Sequence, residues 1–385
     1  MSDRVVVLGS GYAGSATVKR LEEVLDDEEL IWISRDPYHV VLHEIYRAVR
    51  NPAVIDHVTI NVNRIKSYDT EFKQGEVTGI DREEREVFLE DDESVEYDYL
   101  VIGLGSKTAF YGIEGLEEHA YTLKSANDAI EIHNKAIEVE GKSDPLDPGK
   151  IVVGGAGLTG IETAGELAEF RDHYDAPVEI ELVEAVDKIF LQGDDDVRKA
   201  LREKLEKKFI QISTGDPITK VDDDKLYYDS GKTEEYDMLI WTGGITGREA
   251  LHESGLDTEH NRVHTGSTLQ TEDPRIFALG DSALIDQMYS DNPAPPTAEA
   301  AWEAGGTVAE NVKRLIEEQP LKHWNYHNKG TAISVGGEAV CYEMDYIPFK
   351  VFNHVPAWAM KKMIGMRWIA HITDWPYALK TWHSL

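Results

Sequence analysis

The sequence predicts a mixed α/β fold made of two repeated strand, turn and helix units, and three observations carry that expectation. The stretches Gly9-Ser-Gly11-Tyr-Ala-Gly14 and Gly155-Ala-Gly157-Leu-Thr-Gly160 share one glycine spacing. Each comes after a short apolar run rich in β-branched residues, 5–8 and 151–153, and each precedes a helical pattern, 16–25 and 161–170. A third stretch, Asp273-Pro-Arg-Ile-Phe-Ala-Leu-Gly280-Asp281, reads as a strand running into a Gly-Asp corner late in the chain.

Each glycine stretch has the context that makes the spacing meaningful. The first glycine permits the tight turn, the second lets backbone approach a pyrophosphate, and the third lets helix and strand pack closely. The helix N-terminus then offers free N–H groups and partial positive charge to the phosphates. One such match alone is equally a structural glycine turn, whereas two in the same context point to two Rossmann-like dinucleotide sites. The end of the next strand separates the two units, because an acid there normally accepts hydrogen bonds from the adenosine ribose. The second unit's strand, 178–183, ends in Glu184, which suits a free 2′-hydroxyl and repels a 2′-phosphate, so an NAD(H) site is expected there. The first unit's strand, 30–33, ends at Ser34-Arg35 and lacks the acid.

The late Gly280-Asp281 corner distinguishes the first site further. In flavoproteins with two dinucleotides such an aspartate reaches the ribityl and pyrophosphate region of FAD, and the competing reading is an ordinary Gly-Asp turn. Two more strand ends, Tyr97-Asp-Tyr-Leu-Val-Ile-Gly103-Leu-Gly105 and Tyr236-Asp-Met-Leu-Ile-Trp-Thr242-Gly243-Gly244, read as crossovers between nucleotide domains. A discontinuous FAD domain, 1–112 with 250–330, is therefore expected around an inserted NAD(H) domain, 113–249, with a C-terminal region over 331–385.

The chain resembles the type II NADH dehydrogenases, single-subunit NADH:quinone oxidoreductases, over nearly its whole length. The resemblance is carried by Phe110-Tyr-Gly-Ile-Glu-Gly-Leu-Glu117, Leu123-Lys-Ser-Ala-Asn-Asp128, Gly157-Leu-Thr-Gly-Ile-Glu162-Thr-Ala-Gly-Glu166 and Trp241-Thr-Gly-Gly-Ile245. Its most particular piece is Pro295-Pro-Thr-Ala-Glu299-Ala-Ala-Trp-Glu303-Ala-Gly. It implies FAD on Gly9, Ser10, Gly11, Tyr12, Ala13, Gly14, Ser34, Arg35, Val77, Gly103, Gly105, Gly280, Asp281, Thr297 and Ala298. It implies NAD(H) on Gly155, Gly157, Leu158, Thr159, Gly160, Glu184, Gly243 and Gly244. Glu162 matches the family's glutamate beside nicotinamide and flavin, as a positioning or proton-relay group; its plain alternative is a carboxylate favoured by the helix dipole. Glu166, one turn on, is read as a solvent-facing or capping charge.

Proline at 295 and 296 sets up a helix from Thr297, a suitable N-cap, with Glu299 in its first turn. The resemblance places that N-terminus at the flavin, bordering a quinone pocket. The family pattern carries glutamine where this chain has Glu299 and Glu303, which puts the acceptor in question. Lys329 falls in a segment resembling the acceptor side, and a surface charge is the alternative there. The polar, proline-rich loop 286–296 is expected to border the flavin.

Composition narrows the setting. With 72 acidic against 39 basic residues the formal charge is −33, a balance resembling proteins of salt-rich cytoplasm and the wrong sign for nucleic acid. No apolar run approaches the roughly 20 residues of a membrane span, and the start of the chain reads as a strand, without a signal peptide. Disulfide reductases and sulfide:quinone reductases need at least a pair of cysteines, and Cys341 is alone, so a buried bystander thiol is expected. Among the 14 histidines, His39 and His43 sit four apart without a supporting carboxylate pattern, and no metal site is expected.

The C-terminal stretch departs from the acidic background. Lys361, Lys362, Arg367 and Lys380 stand against Asp374, among Trp358, Trp368, Trp375 and Trp382. Met360, Met363, Ile364, Trp368 and Ile372 recur near helical spacing, and aromatic rings with basic flanks suit a helix at a membrane interface. Docking on the protein's own core, or on a second subunit of a homodimer, would give the same pattern. Pro376 predicts two short elements rather than one.

These readings converge on hydride transfer from NADH to FAD and electron transfer to a quinone, a menaquinone, without proton pumping, at the cytoplasmic face of the membrane. A soluble NADH reductase of a protein acceptor such as ferredoxin stands beside it, as does a flavin-binding redox sensor or scaffold with little turnover.

Overall fold

The computed structural model describes residues 2–345 and 347–381. Two five-stranded parallel sheets repeat one arrangement. In the first, Arg4–Leu8 lies between Glu29–Ser34 and Tyr99–Ile102, with Glu71–Gln74 and Ile276–Ala278 at the edges. In the second, Gly149–Gly154 lies between Val178–Glu184 and Met238–Trp241, with Ile210–Thr214 and Ala120–Tyr121 outside. The central strands are buried on both faces, with Val5, Val6, Val7 and Leu8 fully enclosed, which is why they read as unbroken apolar runs. In both sheets the chain order reverses beside the glycine-turn strand, and ligands of such sheets bind in the crevice at that switch point.

Each unit carries a three-stranded antiparallel ribbon before its late strand: Val77–Asp81, Glu86–Leu89 and Ser94–Glu96, then Ile218–Val221, Lys225–Tyr228 and Thr233–Glu235. The segments that follow the two stretches read as crossovers, 97–105 and 236–244, pair with each other. Lys107–Thr108 pairs antiparallel with Ile245–Thr246, so the chain leaves the first unit and returns to it side by side.

The helices after the glycine turns run over Tyr12–Val24 and Leu158–Tyr174, starting earlier than the apolar periodicity suggests. They begin at the middle glycine because the turn itself delivers the chain into helix. The C-terminal region is an antiparallel sheet, Thr331–Val335, Glu338–Tyr342 and Val351–Asn353, and then the helices His354–Ile372 and Trp375–Thr381. Two elements were expected there, but the first is not short: it runs 19 residues. Pro376 sits in the first turn of the second helix, where its missing N–H is harmless.

Candidate functional site

The glycines of the two turns divide by purpose. Gly9 and Gly155 have φ of +94° and +97°, and a Cβ on Gly14 or Gly160 would stand 1.8 Å from the carbonyl oxygen of Gly9 or Gly155. Those four are glycine for the protein's own sake. Gly11 and Gly157 are not: their φ values are −71° and −79°, and a Cβ there would meet nothing within 4 Å. A side chain at either would crowd only a molecule docked at the helix N-terminus, so both turns fit a pyrophosphate.

A cavity of about 1280 Å³ runs from the first turn to the second unit's helix. It is lined by every expected FAD position except Gly14 and Gly280. Gly14 packs helix against strand, and Gly280 lies behind Ala13 and Ala301. Ser34 stands where an acid was missing: its hydroxyl and that of Ser10 are 2.9 Å apart, and Ser10 also lies 2.9 Å from the Tyr38 carbonyl. Ser106 donates to Asp281 Oδ2 at 2.7 Å and receives a hydrogen bond from Lys124 at 3.2 Å. Lys124 lines the cavity too. Burial lowers its pKa, with Asp281 opposing.

Of the expected NAD(H) positions, Leu158 and Thr159 line this cavity. Thr159 and Gly244 also line a second one of about 60 Å³ with Thr108, Trp241 and Ile245. Gly155, Gly157, Gly160 and Gly243 shape the turn behind them. The Glu184 carboxylate accepts from Ala156 N–H at 2.8 Å and Val186 N–H at 3.2 Å, which fixes it beside the turn with lone pairs to spare.

Glu162 lines the large cavity from the second unit's helix and is 5% exposed. Its Oε1 accepts from Lys361 Nζ at 2.5 Å and from Ser334 N–H at 3.1 Å. Lys361 also donates to the Ala332 carbonyl at 3.2 Å. Burial raises the proton affinity of Glu162 and Lys361 opposes it. Burial would lower Lys361, but Glu162 and the buried Glu44 outweigh it and hold the ammonium. The buried Glu44 pairs with Arg47 at 3.5 Å, and burial raises its proton affinity too, with Lys361 and Arg47 opposing.

Several sequence expectations change here. Glu166 is neither solvent-facing nor a cap: it is 2% exposed and pairs with Arg50 Nε at 2.8 Å, because the helix 158–174 is enclosed on that side. Lys361 and Lys362, read as basic flanks of an interface, are each 8% exposed; Lys361 points inward to Glu162. Lys362 lies 4.1 Å over the Trp358 ring. Trp368 and Ile372 are buried, while Met360, Met363 and Ile364 line the cavity, so the helical stripe divides between core and site. Trp382 lies outside the described residues. Cys341 is buried and its thiol is pushed up to about 11 by burial, which suits a bystander.

Three residues whose contacts sequence reasoning missed tie the site together. Trp368 Nε1–H donates to His39 Nε2 at 2.8 Å, which leaves His39 Nδ1–H to donate to the Ser10 carbonyl at 2.8 Å. His43 hydrogen-bonds Tyr12 through Nδ1. Its Nε2 stands 3.9 Å from Glu44 Oε1. Glu299 and Lys329 line the cavity, and Glu303 does not reach it. Lys329 contacts Glu303 directly and lies 3.7 Å from Glu299. Among the described residues no group of three or more His, Cys, Asp or Glu is placed to hold a metal.

Two parallel-sheet units, with the first glycine turn and the start of the second unit's helix on one cavity, fit a two-dinucleotide oxidoreductase. Residues 3–305 match the Pyridine nucleotide-disulphide oxidoreductase family, and the chain belongs to it. It is an enzyme whose cofactors are FAD and NAD(H). It is similar to the Type II NADH:quinone oxidoreductase of Staphylococcus saprophyticus, 29% identical with 94% of each chain covered. Its fold is that of NDH2 from Plasmodium falciparum in complex with NADH, with a TM-score of 0.84, 16% identity, and 99% and 98% of the two chains covered. The sulfide:quinone oxidoreductase of Aquifex aeolicus has the same fold, with a TM-score of 0.81, 20% identity, and 97% and 92% covered.

Proposed function

We propose that this chain oxidises NADH and delivers the electrons through FAD to a membrane quinone, a menaquinone, without pumping protons. The observation that carries the reading is one cavity lined by both units, by the buried Glu162–Lys361 pair and by Met360, Met363 and Ile364. The Type II NADH:quinone oxidoreductase similar to it along nearly all its length supports the same reading.

When bound, the two dinucleotides supply the redox chemistry, hydride donation by one and electron storage by the other. In this reading residues 1–112 and 250–330 hold FAD, with the turn from Gly9 to Gly14 on its pyrophosphate and Ser34 and Arg35 at its adenosine. Asp281, with Oδ2 held by Ser106, is left to take a hydroxyl on its other oxygen. Thr297 and Ala298 bring a helix N-terminus to the same cavity, and Thr297 caps it through Ala300 N–H at 3.2 Å. That end favours negative charge. Residues 113–249 hold NAD(H), and Glu184 accepts from the ribose and repels a 2′-phosphate. Glu162 orients the nicotinamide end and holds or releases a proton at its carboxyl, steadied by Lys361.

The C-terminal region 331–385 attaches to lipid. Phe349, Val355, Trp358, Trp375 and Leu379 are exposed, which is the composition of an interfacial surface. Among the described residues no helix is long and apolar enough to cross a membrane. In this reading attachment is peripheral, on the cytoplasmic face.

The test is NADH oxidation by the FAD-loaded protein with vesicles carrying menaquinone, against NADPH and against ferredoxin without lipid. The reading expects quinone reduction with NADH, little with NADPH, and a rate that rises with vesicle binding. Glu162→Gln should slow it by at least about tenfold. Ferredoxin reduction indifferent to lipid would replace the quinone with a protein acceptor.

A further inference from the structure

The acids at the start of the helix Ala298–Ile316 are not among the positions assigned above to either dinucleotide. Glu299 and Glu303 stand one turn apart on one face, where like charges repel. Lys329 bridges them from the segment 324–330. Only Glu299 of the two acids reaches the cavity that Glu162 also lines. The groups facing Glu299 are Lys329 from that segment, Arg367 from the terminal helix, Tyr326, and Glu303 on its own helix. Arg367 in turn lies 4.9 Å over the Trp302 ring. A carboxyl on the cavity wall, backed by one lysine and one arginine, is placed to exchange a proton with whatever the cavity holds.

We propose that Glu299 is a second proton donor to the quinone, separate from Glu162, with Lys329 as its positioning residue. The inference rests on the quinone reading. Reducing a quinone to a quinol takes two electrons and two protons; NADH supplies both electrons and one proton, and water supplies the other. At the step assigned here the O–H bond of the Glu299 carboxyl breaks and one quinol O–H bond forms. The carboxylate left behind is held by Lys329 and takes its next proton from water. Burial raises the proton affinity of Glu299, and Lys329 and Arg367 oppose that rise. Electrons arriving in the cavity add negative charge and raise the affinity further, so the carboxyl loads when the protein is reduced. Glutamine at this position would bind a quinone oxygen and supply no proton.

The experiment uses the FAD-loaded full chain and compares wild type, Glu299→Gln, Glu299→Asp and Lys329→Met. Quinone-analogue reduction is measured across pH beside ferricyanide, which takes electrons without protons, and reduced-minus-oxidised infrared difference spectra are recorded. Glu299→Gln should slow quinone reduction about tenfold relative to ferricyanide, flatten the pH profile and remove a carboxyl band. Glu299→Asp should restore the slope of that profile, and Lys329→Met should move its apparent pKa upward, since a cation is lost. A Glu299→Gln profile superimposable on wild type overturns the proposal, as does equal slowing with both acceptors. A wild type that reduces ferricyanide but no quinone removes the quinone reading, and this proposal with it.

Discussion

His39 joins the terminal helix to the first glycine turn, and its protonation state is dictated by that position. It is fully buried, accepts from Trp368 and donates to Ser10, so only the neutral ring serves both bonds. Burial depresses it to about 4. Between that value and the unfolded value of roughly 6.5 the unfolded chain binds the extra proton, so stability is full above pH 6.5 and falls as pH drops toward 4. A thermal unfolding series over that range should show a lower midpoint on the acid side, and His39→Phe should shrink the slope. It should also lower stability by about 1–3 kcal/mol through the orphaned Trp368 N–H. Parallel curves for the two proteins would reject the role of His39. This link was illegible in the sequence because its ends, His39 and Trp368, are brought together only by tertiary packing. The Glu162–Lys361 pair was half legible: the family resemblance marked Glu162, while Lys361 looked like an interfacial charge.

At the scale of elements, Gly305 decides how closely two helices approach. A Cβ there would stand 2.7 Å from Ala16 Cβ and 3.0 Å from Thr17 N on the helix Tyr12–Val24. Gly305→Val should therefore destabilise by about 1–3 kcal/mol and speed FAD loss, because both helices bring their N-termini to the cavity. Denaturant midpoints and flavin release measure the two effects, and an unchanged midpoint would contradict the packing. The second unit is tied to the C-terminal sheet by Glu338, which pairs with Lys204 and Lys207 and is lowered to about 2 by those bonds. That stability is present above the unfolded carboxylate value and lost as pH falls toward 2. Glu338→Gln should cost about 1 kcal/mol at neutral pH, solvent screening of a partly exposed group included, and flatten the acid limb of a stability curve. The strand and turn units were legible because glycine spacing and β-branched runs act locally. The terminal helix was legible as a helix but its packing was not, because its apolar stripe serves core, cavity and surface at once, and periodicity reports a face without saying what covers it.

At the scale of the whole molecule, a formal charge of −33 makes the folded chain repel itself. Salt shortens the reach of that repulsion from about 10 Å at 0.1 M to about 3 Å at 1 M. The unfolding midpoint should rise steadily as KCl is raised through that range, and a flat response would mean the acids are already neutralised by their partners. The direct measurement is anaerobic mixing of the FAD-loaded protein with NADH in molar salt, with flavin bleaching read by absorbance, and then addition of a soluble quinone analogue. Rapid bleaching and rapid recovery are expected. Bleaching without recovery would contradict the quinone as acceptor, and no bleaching would contradict the assignment of the two sites to one electron path.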